Sequence, residues 1–460
     1  MIHRVHKSRS NAPRRVALVA AVGVTALVLS ACGTSANTGD KAVDGGGLGT
    51  AKNHVKITMM SNDAFAQQWQ EKLVPEFNKD FPYIDVTIDS TPYDNLLAKG
   101  LLNGVSKNPD YDLITLDDPW TPQLADAGVL LDLKKDAAAW TAKDYDWSDF
   151  NAAPLASSEW NGHQYGVPLR SNLLVMMYNK DLYKKAGVAE PTSKLSWNQF
   201  MDEAPKLVQD TNGDGSVDSW AIGLTWMRGV LSPPVWQTVL NSNGGALFDK
   251  NMNPTFDTKK GVAALQTQVD LLKYAPPGAT NYNYTEPLDA FRQGKVATIF
   301  TWGSAYKSAA VDSAVTTLTP DQVGIQTMPA GSSGPSSHRG IWSGSVFKNS
   351  AHPQAAWALL QWMSSKKGEQ WASTNLGSFP ARKSTLAAAP SQPWLVPVFA
   401  AVQSGFDAAE AGKMWRPRDP KSNAIQEILA DQTSAAVQGQ SSAADALAKA
   451  TDQIKSLLKK

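Results

Sequence analysis

The stretch from Tyr165 to Tyr183 reads Tyr-Gly-Val-Pro-Leu-Arg-Ser-Asn-Leu-Leu-Val-Met-Met-Tyr-Asn-Lys-Asp-Leu-Tyr. Its unbroken apolar run, Leu173 to Tyr178, is too short for a stable helix and therefore predicts a strand that is buried on both faces. Immediately before this run, Arg170, Ser171 and Asn172 offer three hydrogen-bonding side chains. Ligands of open α/β sheets gather where strands end, so the entry to this strand is a predicted binding site.

Strand-like and helix-like segments alternate along the rest of the chain. Before the central stretch, strands are predicted at Val55 to Met60, Ile84 to Ile88 and Tyr111 to Leu116, with amphipathic helices between them. This alternation indicates an α/β fold with a mainly parallel sheet. Because 460 residues exceed the size of one ordinary core, two lobes are expected.

A series of short motifs follows the central strand in a fixed order. They are Tyr178-Asn179-Lys180-Asp181-Leu182, Lys185-Ala186-Gly187-Val188, Ser196-Trp197-Asn198-Gln199-Phe200, Asp210-Thr211-Asn212-Gly213-Asp214-Gly215 and Trp220-Ala221-Ile222-Gly223. As an ordered set they resemble the extracellular solute-binding proteins of bacterial ABC importers, in the family that includes maltose- and trehalose-binding proteins. The resemblance covers the chain from about Val55 to its end.

This resemblance implies a two-lobe, periplasmic-binding-protein-like α/β fold, hinged by crossing strands near residues 166–172 and 340–346 and by a third segment after Pro380. Residues 54–169 and 345–390 would form one lobe, and residues 170–344 and 391–460 the other. The lobes would close on a small carbohydrate and present the closed surface to a membrane permease. We expect a monomer without a resident cofactor.

Tryptophans follow several predicted strands, at positions 120, 226, 302 and 342. A sugar needs flat aromatic platforms for its C–H faces and polar groups around its rim, and such residues at strand ends fit that need. Each of these tryptophans has an alternative role as a core residue. Their recurrence at strand ends favours a shared binding site.

The resemblance extends this set residue by residue. The ligand-binding residues that it implies, together with those above, are Asp63, Asp118, Trp120, Arg170, Asn172, Trp226, Trp302, Gly340, Trp342, Trp415 and Arg416. Two positions depart from the family pattern: Asn172 stands where an acidic residue is frequent, and Ile341 interrupts a usual pair of glycines. The ligand is therefore expected to differ from those of the best-known members.

A loop between two predicted elements has the oxygen spacing of a calcium site. Side-chain oxygens recur at Asp210, Asn212, Asp214, Ser216 and Asp218, and a glycine occupies the sixth place. The twelfth place is Ala221 instead of glutamate. Either a distant carboxylate completes a structural calcium site, or the loop is a double Asx-type turn that holds no metal.

The first 31 residues predict a secretory signal, with five basic residues and then the uncharged apolar segment Val16 to Ala31. The segment ends in Leu29-Ser30-Ala31-Cys32, which looks like a bacterial lipobox, and Cys32 is the one cysteine of the chain. Residues 32–53, rich in Gly, Ser and Thr, then predict a flexible tether. The protein is thus expected to be secreted and lipid-anchored at the outer face of the cell membrane.

Charge and composition argue against other classes of protein. Beyond residue 31 the chain has 38 basic and 42 acidic residues, and this small acidic excess argues against a protein that binds nucleic acid. No nucleophile elbow, P-loop or metal-binding histidine spacing occurs. A lipid-anchored glycoside hydrolase remains the alternative, since acidic pairs are abundant, and a purely structural surface lipoprotein is a third possibility.

The lipid anchor has a direct test. Replacing Cys32 with alanine removes the only thiol that can be lipidated, so the variant is expected to leave the membrane fraction or to stay unprocessed. Fractionation of cells and immunoblotting measure both outcomes. A Cys32→Ala protein that remains processed and membrane-bound would contradict the lipoprotein assignment.

Overall fold

A computed structural model describes residues 47–388, 390–409 and 416–459. The predicted signal segment, Cys32, most of the tether and Trp415 lie outside this range. The strands of the described residues are β1 Val55–Asn62, β2 Ile84–Thr91, β3 Leu113–Asp117, β4 Glu159–Trp160, β5 His163–Gln164, β6 Val167–Asn179, β7 Trp220–Gly223, β8 Val296–Trp302, β9 Val323–Thr327 and β10 Arg339–Val346.

All strands except the short β4–β5 hairpin belong to one mixed sheet in the order β2-β1-β3-β10-β6-β8-β7, with β9 also paired to β6. Within it, β1 is parallel to β2 and β3, and β7 is parallel to β8. The strands β6 and β10 connect these two parallel groups and are antiparallel to their neighbours. We call the part built on β1–β3 the first lobe and the part built on β7–β9 the second lobe.

The central strand β6 belongs to both lobes. Its first half pairs with β10, from Val167 opposite Gly344 to Leu173 opposite Arg339, and its second half pairs with β8 and β9. β6 is longer than the predicted apolar run because this pairing with β10 extends it toward its N-terminus. Arg170 and Asn172 consequently lie inside the strand and not ahead of it.

Helices cover the sheet on both sides. They are α1 Asp63–Gln68, α2 Val74–Asp80, α3 Tyr93–Val105, α4 Thr121–Asp126, α5 Ala152–Ala156, α6 Lys180–Lys185, α7 Trp197–Glu203, α8 Pro233–Ser242, α9 Lys259–Leu271, α10 Thr285–Arg292, α11 Tyr306–Ala310, α12 Pro353–Met363, α13 Lys366–Leu376, α14 Lys383–Leu386, α15 Leu395–Ala409, α16 Ser422–Val437 and α17 Ala443–Leu458. No helix of the described residues is both long and apolar enough to span a membrane.

The apolar cores follow from this arrangement. In the first lobe, α12 packs its nearly all-buried face against β1 and β6, with Trp357 and Leu359 fully enclosed. In the second lobe, α8, α9, α16 and α17 form a layered core around Trp236 and Leu265. The predicted two-lobe α/β fold with crossing strands is confirmed, while the sheet is mixed where a mainly parallel one was expected.

Candidate ligand-binding site

A cavity of ≈ 550 Å³ lies where the crossing strands meet the two lobes. Its lining comes from many parts of the chain, which include β6, β10, the end of β8, the first turn of α1, the start of α3, the end of β3, residues 225–231, residues 283–284 and Arg416. Predicted residues in its lining are Asp63, Arg170, Asn172, Trp302, Gly340, Trp342 and Arg416. Residues separated by as much as 353 positions thus meet, because β6 and β10 pass through the middle of one sheet.

One wall of the cavity is aromatic. Trp342, half-buried on β10, meets the edge of Phe65 at 5.2 Å between ring centroids and that of Tyr93 at 5.9 Å. The Trp120 ring stands behind it at 5.8 Å and is only 1% exposed. Trp342 therefore presents the platform, while Trp120 supports it and does not line the cavity.

A second platform, Trp302, depends on a glycine. Trp302 ends β8 and remains half-buried, with its ring 5.8 Å from that of His338. A Cβ added at Gly340 would lie 2.8 Å from both Cη2 and Cζ3 of this indole. Real Cβ atoms do not approach ring carbons so closely, so the present position of Trp302 requires glycine at this point of β10.

The carboxamide of Asn172 is fixed by three hydrogen bonds. Its Nδ2 donates to Ser304 Oγ at 2.8 Å, and its Oδ1 accepts from Ser304 N at 3.2 Å and from Leu173 N at 3.1 Å. These bonds orient the amide and leave the second hydrogen of Nδ2 available to a ligand. Ser304 also lines the cavity, so the pair acts as one polar edge.

A buried cluster of charges stands at the end of β3. Arg416 Nη1 donates to Asp117 Oδ1 and, at 2.8 Å, to Asp118 Oδ1, and Tyr93 Oη donates to Asp117 Oδ2 at 2.9 Å. Arg416 Nε also contacts His338 Nε2 at 3.3 Å. The group joins the first lobe to β10 and to the C-terminal segment.

Burial and charge act in opposite directions on the pKa values of this cluster. Burial alone would lower the pKa of Arg416, but the charges of Asp117 and Asp118 raise it overall. Burial raises the pKa of Asp117 although Arg416 opposes it, and burial lowers that of His338 well below its usual value. Arg416 is thus held as a cation beside a neutral imidazole.

Arg170 differs from Arg416 in its surroundings. The guanidinium lies over the Phe65 ring, 5.0 Å from its centroid, and burial lowers its pKa. Among the residues that the structure describes, no carboxylate forms an ion pair with it and no group forms a hydrogen bond to it. Its donors face the cavity together with Tyr284.

Other predicted site residues lie elsewhere. The Trp226 side chain is fully buried in the second-lobe core, where its Nε1 donates to Gln268 O at 3.3 Å. After β7 the Trp226 side chain enters the second-lobe core and therefore does not line the cavity. Asp118 lies behind Asp117 and reaches the site only through Arg416. Trp415 lies outside the described residues.

Sequence reasoning missed several lining residues, namely Phe65, Tyr93, Asp117, Arg228 and Tyr284. Asp117 could have been found, since it is the last residue of the buried strand β3 and its neighbour Asp118 is a predicted ligand-binding residue. Arg228 is exposed and pairs with Asp431 and Glu427 on α16. Its sequence neighbourhood contains no acidic residue that would have indicated this pairing.

The predicted calcium loop is closed by its own hydrogen bonds. Asp210 accepts from Gly213 N and Gly215 N, both at 2.7 Å, and Asp214 Oδ1 accepts from Ser216 N at 2.8 Å. Asp218 binds Thr211 at both carboxylate oxygens. No group of three or more His, Cys, Asp or Glu in the described part of the chain is arranged to hold a metal ion.

Known proteins share this architecture. A family profile described as bacterial extracellular solute-binding protein matches residues 62–370. A solved Agrobacterium radiobacter solute-binding protein in complex with ribitol is 27% identical, with a TM-score of 0.74 over 88% of this chain and 98% of its own. A maltose-bound protein of T. maritima, 24% identical, has a TM-score of 0.76 over 88% and 100% of the two chains.

One curated relative adds a further comparison. The erythritol/L-threitol-binding protein of Mycolicibacterium smegmatis is 23% identical over 393 residues, which cover 80% of this chain and 79% of the relative. The matched length includes all the crossing strands. The likeness therefore concerns the whole two-lobe architecture and not an isolated motif.

Two tryptophans that look alike in the sequence should differ in their contribution to stability. Trp226→Ala empties a fully enclosed space and is expected to cost about 3–5 kcal/mol of unfolding free energy. Trp302→Ala removes a half-exposed ring, and about 1–2 kcal/mol is expected. Urea unfolding of both variants measures the difference. Equal losses would show that Trp302 is a core residue.

Proposed function

Because the chain belongs to the bacterial extracellular solute-binding protein family, we propose that it captures a small carbohydrate or polyol outside the cell and delivers it to an ABC importer permease. The chain is a binding protein and not an enzyme. The solved relatives named above carry ribitol and maltose, and the curated relative binds erythritol or L-threitol. A mono- or disaccharide or a polyol is the ligand class that these neighbours support.

One observation carries this proposal: two half-exposed indoles, Trp302 and Trp342, face one cavity that also presents the Asn172–Ser304 edge. Aromatic faces take the C–H surfaces of a sugar, and the polar edge takes its hydroxyls. The cavity of ≈ 550 Å³ falls in the range of pockets for small ligands. The combination fits a polyhydroxylated ligand better than a purely apolar one.

The buried carboxylates at the end of β3 do not support the glycoside hydrolase alternative. A glycosidase needs two carboxyl groups free to act as acid and as nucleophile or base. Here Asp117 and Asp118 both accept hydrogen bonds from the guanidinium of Arg416, and Asp117 also accepts one from Tyr93 Oη. Binding of a sugar without its hydrolysis on incubation is the expected behaviour.

Closure of the lobes is the proposed mechanism of capture. We assign residues 54–169 and 345–390 to the first lobe and residues 170–344 and 391–460 to the second, as expected from the sequence. Separate apolar clusters around β1–β3 and around β7–β9 support this division. The β6 and β10 strands would bend as the hinge while the cores stay rigid.

The cellular setting completes the proposal. The family is extracellular, and the predicted lipidation of Cys32 would keep the receptor at the outer face of the cell membrane, within reach of its permease. A tether of about twenty residues with the flexibility that its composition predicts would have a root-mean-square reach of roughly 25 Å. The receptor is proposed to act as a monomer and to bind no nucleic acid.

The proposed site can be tested with one tryptophan pair. Trp302→Ala removes a cavity platform and is expected to weaken binding of the best neutral sugar or polyol by about 1–3 kcal/mol. Trp371→Ala is the matched control, since Trp371 is equally half-buried but packs on the first-lobe core outside the cavity. Isothermal titration calorimetry on the mature domain measures both affinities. Unchanged affinity in Trp302→Ala would contradict the site.

The loop from Asp210 to Asp218 needs its own experiment, since calcium remains an alternative to the turn. Its oxygens already accept backbone N–H groups, which supports a pair of Asx-type turns that need no ion. Calcium and a chelator are then expected to leave the melting temperature unchanged. A rise with calcium that a chelator reverses would identify a structural site, because an ion bound only by the folded state stabilises it.

A further inference from the structure

The cavity contains three arginines, and two of them are neutralised by the protein itself. Arg416 is held between Asp117 and Asp118, and Arg228 pairs with acids on α16. Arg170 is the third, and within the described residues it has neither an ion-pair partner nor a hydrogen bond. The positive charge at this point of the cavity is therefore uncompensated.

The neighbours that the structure gives Arg170 include an aromatic ring and a phenol. Phe65 of the first lobe covers one face of the guanidinium, and Tyr284 of the second lobe, whose pKa is raised by burial, presents a neutral phenol to the same cavity. The neighbouring Asn172 has an N–H to spare. A ligand group at this place meets several donors, so it must be a strong acceptor.

The acids of the cavity lie in other places. Asp63 and Asp94 line the cavity with exposed side chains. Asp117 accepts hydrogen bonds from Arg416 and Tyr93. Within the described part of the chain, none of these three carboxylates forms an ion pair with Arg170. The cavity is thus divided, with its acidic cluster at the end of β3 and its free cation on β6.

Closure of the lobes makes an uncompensated cation costly. Arg170 is already half-buried on the crossing strand, and a lobe closing from either side would remove more of its water. A buried charge without a partner is strongly unfavourable, whereas a carboxylate can bind a guanidinium through two parallel hydrogen bonds. A neutral hydroxyl offers weaker acceptors and no charge.

We propose that the physiological ligand is a carboxylate-bearing sugar derivative, a sugar acid, whose carboxylate binds Arg170. This inference rests on the proposed function, because it takes the carbohydrate site as given and specifies its ligand. The sugar part contacts the Trp302 and Trp342 platforms, and the acid end lies at β6 between Phe65 and Tyr284.

Matched pairs of probes test the ligand class. D-ribonate and ribitol, D-mannonate and D-mannitol, D-gluconate and D-glucitol, and D-erythronate and erythritol each differ only in the acid group, and D-galacturonate with D-galactose adds a uronate. Calorimetric titration of the mature domain should show at least one acid binding roughly ten-fold or more tighter than its neutral partner. That preference should shrink as salt concentration rises.

Variants of Arg170 identify the group responsible. Arg170→Met keeps much of the side-chain volume and is expected to remove the preference for the acid, so that an acid and its neutral partner bind this variant with affinities within about two-fold of each other. Arg170→Lys keeps the charge and should retain part of the preference. Lys273→Met removes one positive charge from an exposed surface position outside the cavity and is the control. Melting curves show which variants are folded.

The outcomes distinguish a failure of the sugar-acid inference from a failure of the proposed carbohydrate-binding function. Neutral probes that bind as well as or better than their acids overturn the sugar-acid inference and leave the carbohydrate receptor intact. Absence of binding by every acid and every neutral probe overturns both. If Arg170→Met does not fold, the acid-to-neutral ratio of the unaltered protein and the Arg170→Lys variant still decide the question.

Discussion

The structure depends on the double pairing of one strand. β6 is hydrogen-bonded first to β10 and then, along its second half, to β8 and β9 on its two sides. Its alternate residues enter different cores, with Leu174 and Met176 on one face and Val175 and Met177 on the other. A slip of one residue would exchange the two faces, so the register is strongly determined. That register also places Arg170 and Asn172 at the cavity.

Much of this could be predicted from the sequence, because the determinants are local. The apolar run of β6 predicts a doubly buried strand, and Asn179 after this run caps α6, because its Oδ1 accepts hydrogen bonds from Asp181 N and Leu182 N. Strand-end reasoning also found Trp302, the last residue of β8, whereas Trp342, which is predicted to follow a strand, lies within β10 and reaches the cavity from there. Local pattern and tertiary structure agree at these positions.

The rest depends on contacts between distant parts of the chain. Trp226 and Trp302 both follow an apolar strand, and only the turn after β7 sends one indole to Gln268 and the core. Arg416 and Asp117 are 299 residues apart, so no spacing rule indicates that they neutralise each other. Because that pairing cannot be inferred from the sequence, neither can the difference between Arg416, which has two acidic partners, and Arg170, which has no ion-pair partner among the described residues.

The position of β10 has a consequence for biosynthesis. This strand, residues Arg339–Val346, lies between β3 and β6 in the sheet although it follows both by more than 150 residues in the chain. A nascent chain that ends before residue 339 therefore has two strand edges without their shared neighbour, and such edges invite intermolecular pairing. Contacts of this sequence separation also slow folding. The same separation delays completion of the sheet until residues 339–346 have been synthesised.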